Sequence, residues 1–266
     1  MKIDPIIRVD GFSSFAVAVA LSAAGSASAQ AQGLAQAPAS AMPSQATVLA
    51  FPSTFGIPTA VAPRSGTAFV GVNYANPRGG AKGAGGDGDI IAGYSVGNPF
   101  DALTLTFGVA ITGIDPLGDA GALSLSFSRV LRVGRMSATF IGASASNLAA
   151  WGVNDDRAEA YSAYVSHILG TPLGSYEVPI QITIGYGTDV TLAEDGSGSI
   201  RDGLFAGLGI GLTQNFSAGV SATRTQLNVG FTYSLPGTGV SATFGVMDVT
   251  DNTNRRQSSW SVGFSF

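Results

Sequence analysis

From Gly66 to Phe266, large apolar and small polar side chains alternate in segments of about ten residues, the length of a tilted membrane strand. Leu103, Leu105, Phe107, Val109 and Ile111 oppose Thr104, Thr106, Gly108, Ala110 and Thr112. Leu123, Leu125 and Phe127 oppose Ser124, Ser126 and Ser128. Leu227 to Leu235 and Val240 to Val246 repeat the scheme, as do Val178 to Tyr186, Leu204 to Leu212, Phe216 to Ala222 and Trp260 to Phe266. Successive side chains of a strand point to opposite faces, so each segment has one oily face and one small, polar face. Residues 67–75, 89–97, 136–146 and 158–169 alternate less cleanly. With them the pattern predicts about twelve strands, or ten if weak segments merge.

A soluble sandwich also alternates, so the connections decide between it and a membrane barrel. Long polar stretches cover 76–88, 113–120, 147–157, 188–202 and 249–255, and they alternate with short turns at 98–101, 132–135, 213–215 and 236–238. Two links depart from the rule: 170–176 is long for a turn, and Thr225-Gln226 is short for a loop. Long loops at one end and short turns at the other mark an antiparallel up-and-down transmembrane barrel, and an even strand count puts both chain ends at the short-turn end. Of the acidic residues after residue 29, all but Asp101 and Glu177 lie in or beside the long connections. Charge is missing from the middle of the predicted strands, where a lipid-facing Lys or Arg costs about 2–4 kcal/mol. Arg129 falls at a strand end, from which it can snorkel outward.

Composition agrees with an all-β membrane protein. The 266 residues include 37 Gly and only 11% charged side chains, with a mean hydropathy of +0.30, against roughly 25% charged for a soluble domain. Without an apolar run of about 20 residues, the remaining way to satisfy the backbone in lipid is a closed barrel. Lys2 and Arg8 precede an apolar stretch from Phe12 to Ala24, and Ala27-Ser28-Ala29 offers a cleavage site, so residues 1–29 read as a signal peptide. Residues 30–65 are rich in Ala, Pro, Gln and Ser and read as a linker or a lumen-inserted segment. Val48 to Pro63 is more apolar than a solvated tether should be. Residues 66–266 form the barrel.

The signal peptide, the alternating segments and the terminal Trp260-Ser261-Val262-Gly263-Phe264-Ser265-Phe266 resemble a bacterial outer-membrane β-barrel protein of the porin-like class. The resemblance implies outer-membrane location with both mature termini periplasmic and the outer-membrane lipids as surroundings. It also implies an assembly signal, read by the barrel assembly machinery, carried by Trp260, Phe264 and Phe266.

Catalytic chemistry is sparse. The chain has one histidine, His167, and no cysteine. The His-x-Ser spacing of the outer-membrane phospholipase is absent around His167, which reads as an interfacial imidazole. Asp87-Gly88-Asp89 and Glu194 to Ser199 lack calcium-loop spacing and read as solvated hairpin tips. Gly79 to Gly86 lacks the Gly-Lys-Ser/Thr ending of a phosphate loop. No cofactor or metal is expected, and a pI of about 4.8 argues against nucleic acid.

The small, neutral inner face is the remaining functional feature. Its expected lumen-lining residues are Thr104, Thr106, Ser124, Ser126, Gln181, Thr183, Ser217, Ser221, Asn228, Thr232, Ser241 and Thr243, together with Thr139 and Thr223. Side chains just fill an eight-strand barrel, so they leave a twelve-strand barrel open. The lumen is then a passive channel for small, largely uncharged solutes, or it is closed by residues 48–63 in a structural or surface-display barrel with acidic loops outside. An autotransporter translocator is disfavoured, because only a short stretch lies between residue 29 and the barrel.

Overall fold

The computed structural model describes residues 47–80, 83–114, 117–155, 158–195 and 199–266. The expected signal peptide, the linker through residue 46, and parts of two loop motifs (81–82 and 196–198) lie outside the described residues.

Apart from the two-residue β1 (Thr47–Val48), the strands are β2 (Ala68–Asn76), β3 (Asp87–Gly97), β4 (Thr104–Thr112), β5 (Gly121–Val133), β6 (Ser137–Trp151) and β7 (Ala160–Leu173). They continue with β8 (Tyr176–Leu192), β9 (Ile200–Gly211), β10 (Phe216–Thr223), β11 (Leu227–Ser234), β12 (Val240–Met247) and β13 (Gln257–Ser265). Each of β2 to β13 pairs antiparallel with its sequence neighbours, and β13 returns to β2 from Ser258↔Asn76 to Ser265↔Phe69. The result is a closed twelve-strand up-and-down barrel. The four segments with weak alternation form β2, β3, β6 and β7.

Two boundaries differ from expectation for a physical reason. Residues 147–151 and 188–192, expected in loops, continue β6 and β8 to 15 and 17 residues. Asn147, Ala149 and Asp189 there adopt positive φ, and the ladders shift register beside them, so bulges carry the strands past the point where alternation stops. The link that looked long for a turn is shorter than expected: β7 runs to Leu173, pairs with Tyr176, and turns over Gly174-Ser175.

The oily positions face outward. Val72, Ile184, Leu204, Trp260 and Val262 are each 48–67% exposed, while their strand neighbours are buried or half-buried. Phe244 stacks obliquely on Trp260 across β12 and β13, with ring centroids 4.5 Å apart. An apolar surface this continuous is unstable in water and suited to lipid. No helix among the described residues is long and apolar enough to cross a membrane; the strands do so. Thr139, expected in the lumen, instead shares the outer face with Ile141 and lies 2.9 Å from His167 Nδ1. Period two holds along this part of β6, but the large Phe140 takes the inward place beside Ile57, Ala60 and Val61 and turns Thr139 outward.

Asp89 is not a solvated loop acid. It lies within β3, fully buried, and receives Arg78 Nη2 at 2.6 Å and the Gly113 amide at 3.3 Å, fastening the β2–β3 and β4–β5 connections together. Replacing Arg78 with Met strands a buried carboxylate, at a cost of about 3–5 kcal/mol. A clearly lower midpoint for loss of the heat-modifiable folded band in detergent gels is the expected result. An unchanged midpoint shows that the pair contributes nothing.

Candidate functional site

Position by position, the inner face divides into two halves. On β9 to β12 the inward residues include a row of glycines set side by side by the register: Gly209↔Gly219, Gly219↔Gly230 and Gly230↔Gly245. On β3 to β7 the corresponding row carries hydroxyls: Ser95↔Thr106, Thr106↔Ser126, Ser126↔Ser144 and Ser144↔Ser162. The first half is a trough of bare backbone; the second is a polar wall.

Residues 49–64 occupy the trough. The chain arrives at the short-turn end, where β9 stops before β8 does and leaves the first residues of β8 without a partner on that side. There β1 pairs in parallel with Tyr176 and Glu177, covering the exposed sheet edge. The Leu49 amide donates to Glu177 O at 3.2 Å and the Ala50 amide to Thr213 O at 2.6 Å. The segment then climbs along the glycines. A Cβ at Gly219 would overlap the Ser53 carbonyl, one at Gly209 would lie 2.6 Å from it, and one at Gly230 or Gly245 would enter the Phe55 ring. At Gly56, with φ +83°, the chain turns against the Asn228 side chain. It descends past Thr59 and Ala60 and leaves beside β3, where the Gly97 amide donates to Ser65 Oγ at 3.1 Å and the Gly66 amide to Ser95 O at 2.8 Å.

Buried backbone needs hydrogen-bond partners, and the barrel wall supplies them. Ser221 Oγ donates to Phe55 O, Ser128 Oγ donates to Ala60 O, and the Ala60 amide donates to Ser166 Oγ at 2.9 Å. Gln181 Nε2 donates to Thr59 Oγ1 at 2.7 Å and to Thr183 Oγ1 at 3.1 Å, and the Ser166 and Thr183 hydroxyls lie 2.8 Å apart. Apolar contacts complete the seat: Ile57, Ala60 and Val61 pack with Phe140, Tyr164, Ile168 and Phe205. Phe55 packs with Leu192 and Met247.

The long connections close the trough from the other end. Asp248, fully buried, accepts the Thr253 amide at 3.0 Å, Thr253 Oγ1 at 2.6 Å and the Asn252 amide at 3.1 Å, while its own amide donates to Asn228 Oδ1 at 3.0 Å. Thr225, in the link that looked too short for a loop, donates to Leu192 O at 2.8 Å. Arg255 is also drawn in from the β12–β13 connection; burial lowers its guanidinium from the usual value and Asp195 opposes the shift.

The hydroxyl half keeps an open cavity of about 160 Å³. Thr104, Thr106, Ser124, Ser126, Ser128, Ser144, Ser146 and Ser162 line its wall, and Ile57 to Thr59 with Val61 to Pro63 line its other side. The lining reaches Thr188 and Asp189 toward the long-loop end, whereas Val61, Val130, Phe140 and Ile168 pack together toward the short turns.

Of the expected lumen residues, Thr104, Thr106, Ser124 and Ser126 therefore lie on the cavity, as does Thr223. Gln181, Thr183, Ser221 and Asn228 are buried around the inserted segment. Ser217, Thr232, Ser241 and Thr243 are buried on the inner face of β10 to β12, with Thr232 and Thr243 hydroxyls 2.9 Å apart. Trp260, Phe264 and Phe266 are 57%, 40% and 69% exposed on the outer face. Ser95, Ser144, Ser146 and Ser162 were missed because their strands alternate weakly, while Ser128 was placed on the polar face without being counted in the lining. The glycine row was missed too, although inward glycines at period two on β9 (Gly207, Gly209, Gly211) were a readable signal. Among the described residues no group of three or more His, Asp or Glu side chains is placed to hold a metal ion.

No protein-family model matches the sequence, and no curated relative does. Solved structures of similar architecture include the KdgM porin in complex with disordered oligogalacturonate, at TM-score 0.49 and 11% identity over 75% of this chain and 98% of that one. The NanC porin gives 0.47 and 10% over 75% and 98%, and an outer-membrane channel from Pseudomonas putida F1 gives 0.44 and 9% over 77% and 97%.

The glycine seat makes a direct prediction. Gly219→Val places side-chain atoms where the Ser53 carbonyl sits, so residues 49–64 should leave the lumen while the barrel stays closed. Limited proteolysis of the folded variant in detergent should then cut within 49–64 at least tenfold faster than in the parent. Equal resistance in both shows that the segment is not seated there.

Proposed function

We propose that the chain is an outer-membrane barrel for small, largely uncharged solutes whose resting state is closed by its own residues 49–64. The observation that carries this reading is the pairing of a hydroxyl-lined cavity with an inserted segment that fills the rest of the lumen. A wall of Ser and Thr without charged rings gives a permeating solute hydrogen-bond partners but no charge selection. Twelve strands enclose a passage wide enough for such solutes only when the segment is withdrawn. The oily exterior, the long acidic loops and the terminal aromatic strand fit the outer membrane, with the short turns and the mature N-terminus on the periplasmic side. Insertion from that side leaves the acidic loops at the exterior.

A second reading, a permanently closed structural or display barrel, is favoured by the density of the seat. Ser53, Thr54, Phe55, Ile57, Ala60 and Val61 are all at most 6% exposed.

Conductance in planar bilayers separates the two. The full chain should conduct weakly or not at all, and deletion of residues 47–63 should give steady single-channel steps with little preference between cations and anions. A lock tests the same point without a deletion. A Cβ at Gly207 lies 3.0 Å from Thr54 Cβ, somewhat inside the about 3.5–4.5 Å that a disulfide spans, and 2.6 Å from Ile57 Cδ1, the movable end of that side chain, which must turn aside. Oxidised Thr54→Cys/Gly207→Cys should be silent, and reduction should restore the parent's behaviour. A folded deletion variant that passes no current at any voltage removes the channel reading and leaves the closed barrel.

A further inference from the structure

We infer that the cavity on the hydroxyl half is a binding site for a small neutral polyol, from a three-carbon polyol to a single sugar ring, and that it forms with the inserted segment in place. The inference rests on the proposed function for its place in transport but not for its existence, since the site is complete in the closed barrel.

Three observations converge on it. The first is the row of Thr106, Ser126, Ser144 and Ser162, which lines the cavity and which the strand register holds at one level across four neighbouring strands, with the buried Ser95 hydroxyl 2.8 Å behind Thr106 Oγ1. Strands lie about 4.8 Å apart, so the row offers hydroxyls at regular intervals along one wall. A hydroxyl both donates and accepts, so it suits a ligand whose own groups do the same. The second is Thr104, which lines the cavity at 1% exposure with its Oγ1 unpaired, although buried polar atoms ordinarily find a partner. The third is the remaining lining, where Tyr164 and Phe205 present apolar surface beside the hydroxyls. That mixture matches the C–H faces and O–H edges of a polyol.

Charge and volume narrow the class. The described lining holds one charged side chain, Asp189, and no Arg or Lys. An anion would meet a carboxylate without a compensating cation, and an organic cation would have a single partner at the rim. The space of about 160 Å³ is close to the about 150 Å³ of a cavity that holds one benzene ring, so it suits a single ring, and a disaccharide would have to extend past its open end. The glycine half offers nothing comparable, because Ser53, Phe55 and Ile57 already cover it.

The test is equilibrium binding to the parent barrel in detergent, in which the segment is seated, read by saturation-transfer NMR on the small molecule. The probes are glycerol, glucose, gluconate, glucosamine and maltose. Glycerol and glucose should bind saturably, and gluconate, glucosamine and maltose at least tenfold more weakly. Ser126→Ala/Ser144→Ala, two lost hydrogen bonds, should weaken glucose about tenfold, and Ser217→Ala on the opposite half should leave it unchanged. If the double variant loses its heat-modifiable folded band, Ser126→Leu, which fills the cavity from one position, should abolish binding instead. The inference is overturned if no neutral polyol saturates the site up to about 100 mM, if charged probes bind as well as glucose, or if the hydroxyl and cavity-filling variants bind normally. Binding here together with silence of every variant in bilayers would retain the site and discard the channel.

Discussion

A barrel of twelve strands encloses more space than its own inward side chains can fill, and the architecture of this protein follows from how that space is shared. The wall does not solve the problem with bulky residues. It presents glycine on β9 to β12 and lets a second piece of chain lie against the bare backbone. On β3 to β7 it presents hydroxyls and leaves a cavity. Glycine in a strand weakens it and packs nothing of its own, so a row of four in adjacent strands is hard to explain except by close approach of something else.

The inserted segment carries its own polar constraint. Buried backbone groups must find partners, and residues 49–64, which follow β1, form neither a helix nor a strand. Their partners are the wall's inward side chains, chiefly Ser128, Ser166 and Ser221, with Gln181 holding Thr59. The polar inner face therefore serves two purposes: part of it bonds the segment, and part of it faces the cavity. Seating is consequently specific to position. A polar wall alone would hold a peptide in many registers; the combination of a glycine trough for Phe55 and hydroxyls for the Phe55 and Ala60 carbonyls fixes one.

Much of this was legible in the sequence, and the parts that were not have identifiable causes. Alternation located the strands and assigned the oily face to the outside, because period two survives wherever one face meets lipid. It failed beyond Asn147, where bulges move residues off the period without any change in composition, and at Thr139, where an inward aromatic, Phe140, puts the polar residue on the outer face. Asp89 looked like a loop acid because its partner, Arg78, lies across a connection and only folding joins them. The apolar content of 48–63 was a sufficient hint that it is not a tether, but its destination needed the glycines of four other strands. Those glycines were read as small residues rather than as a binding surface. A pattern along one strand is visible in sequence, whereas a row across four strands depends on register.

The central claim is that residues 49–64 are part of the folded barrel rather than a tether beneath it. Amide hydrogen exchange of the unmodified protein in micelles measures this directly. The account predicts that the amides of Phe55 to Val61, the Ala60 amide on Ser166 among them, exchange as slowly as those of β10 and β11. Exchange of that stretch at the rate of an unstructured peptide, with the strands protected, would contradict it.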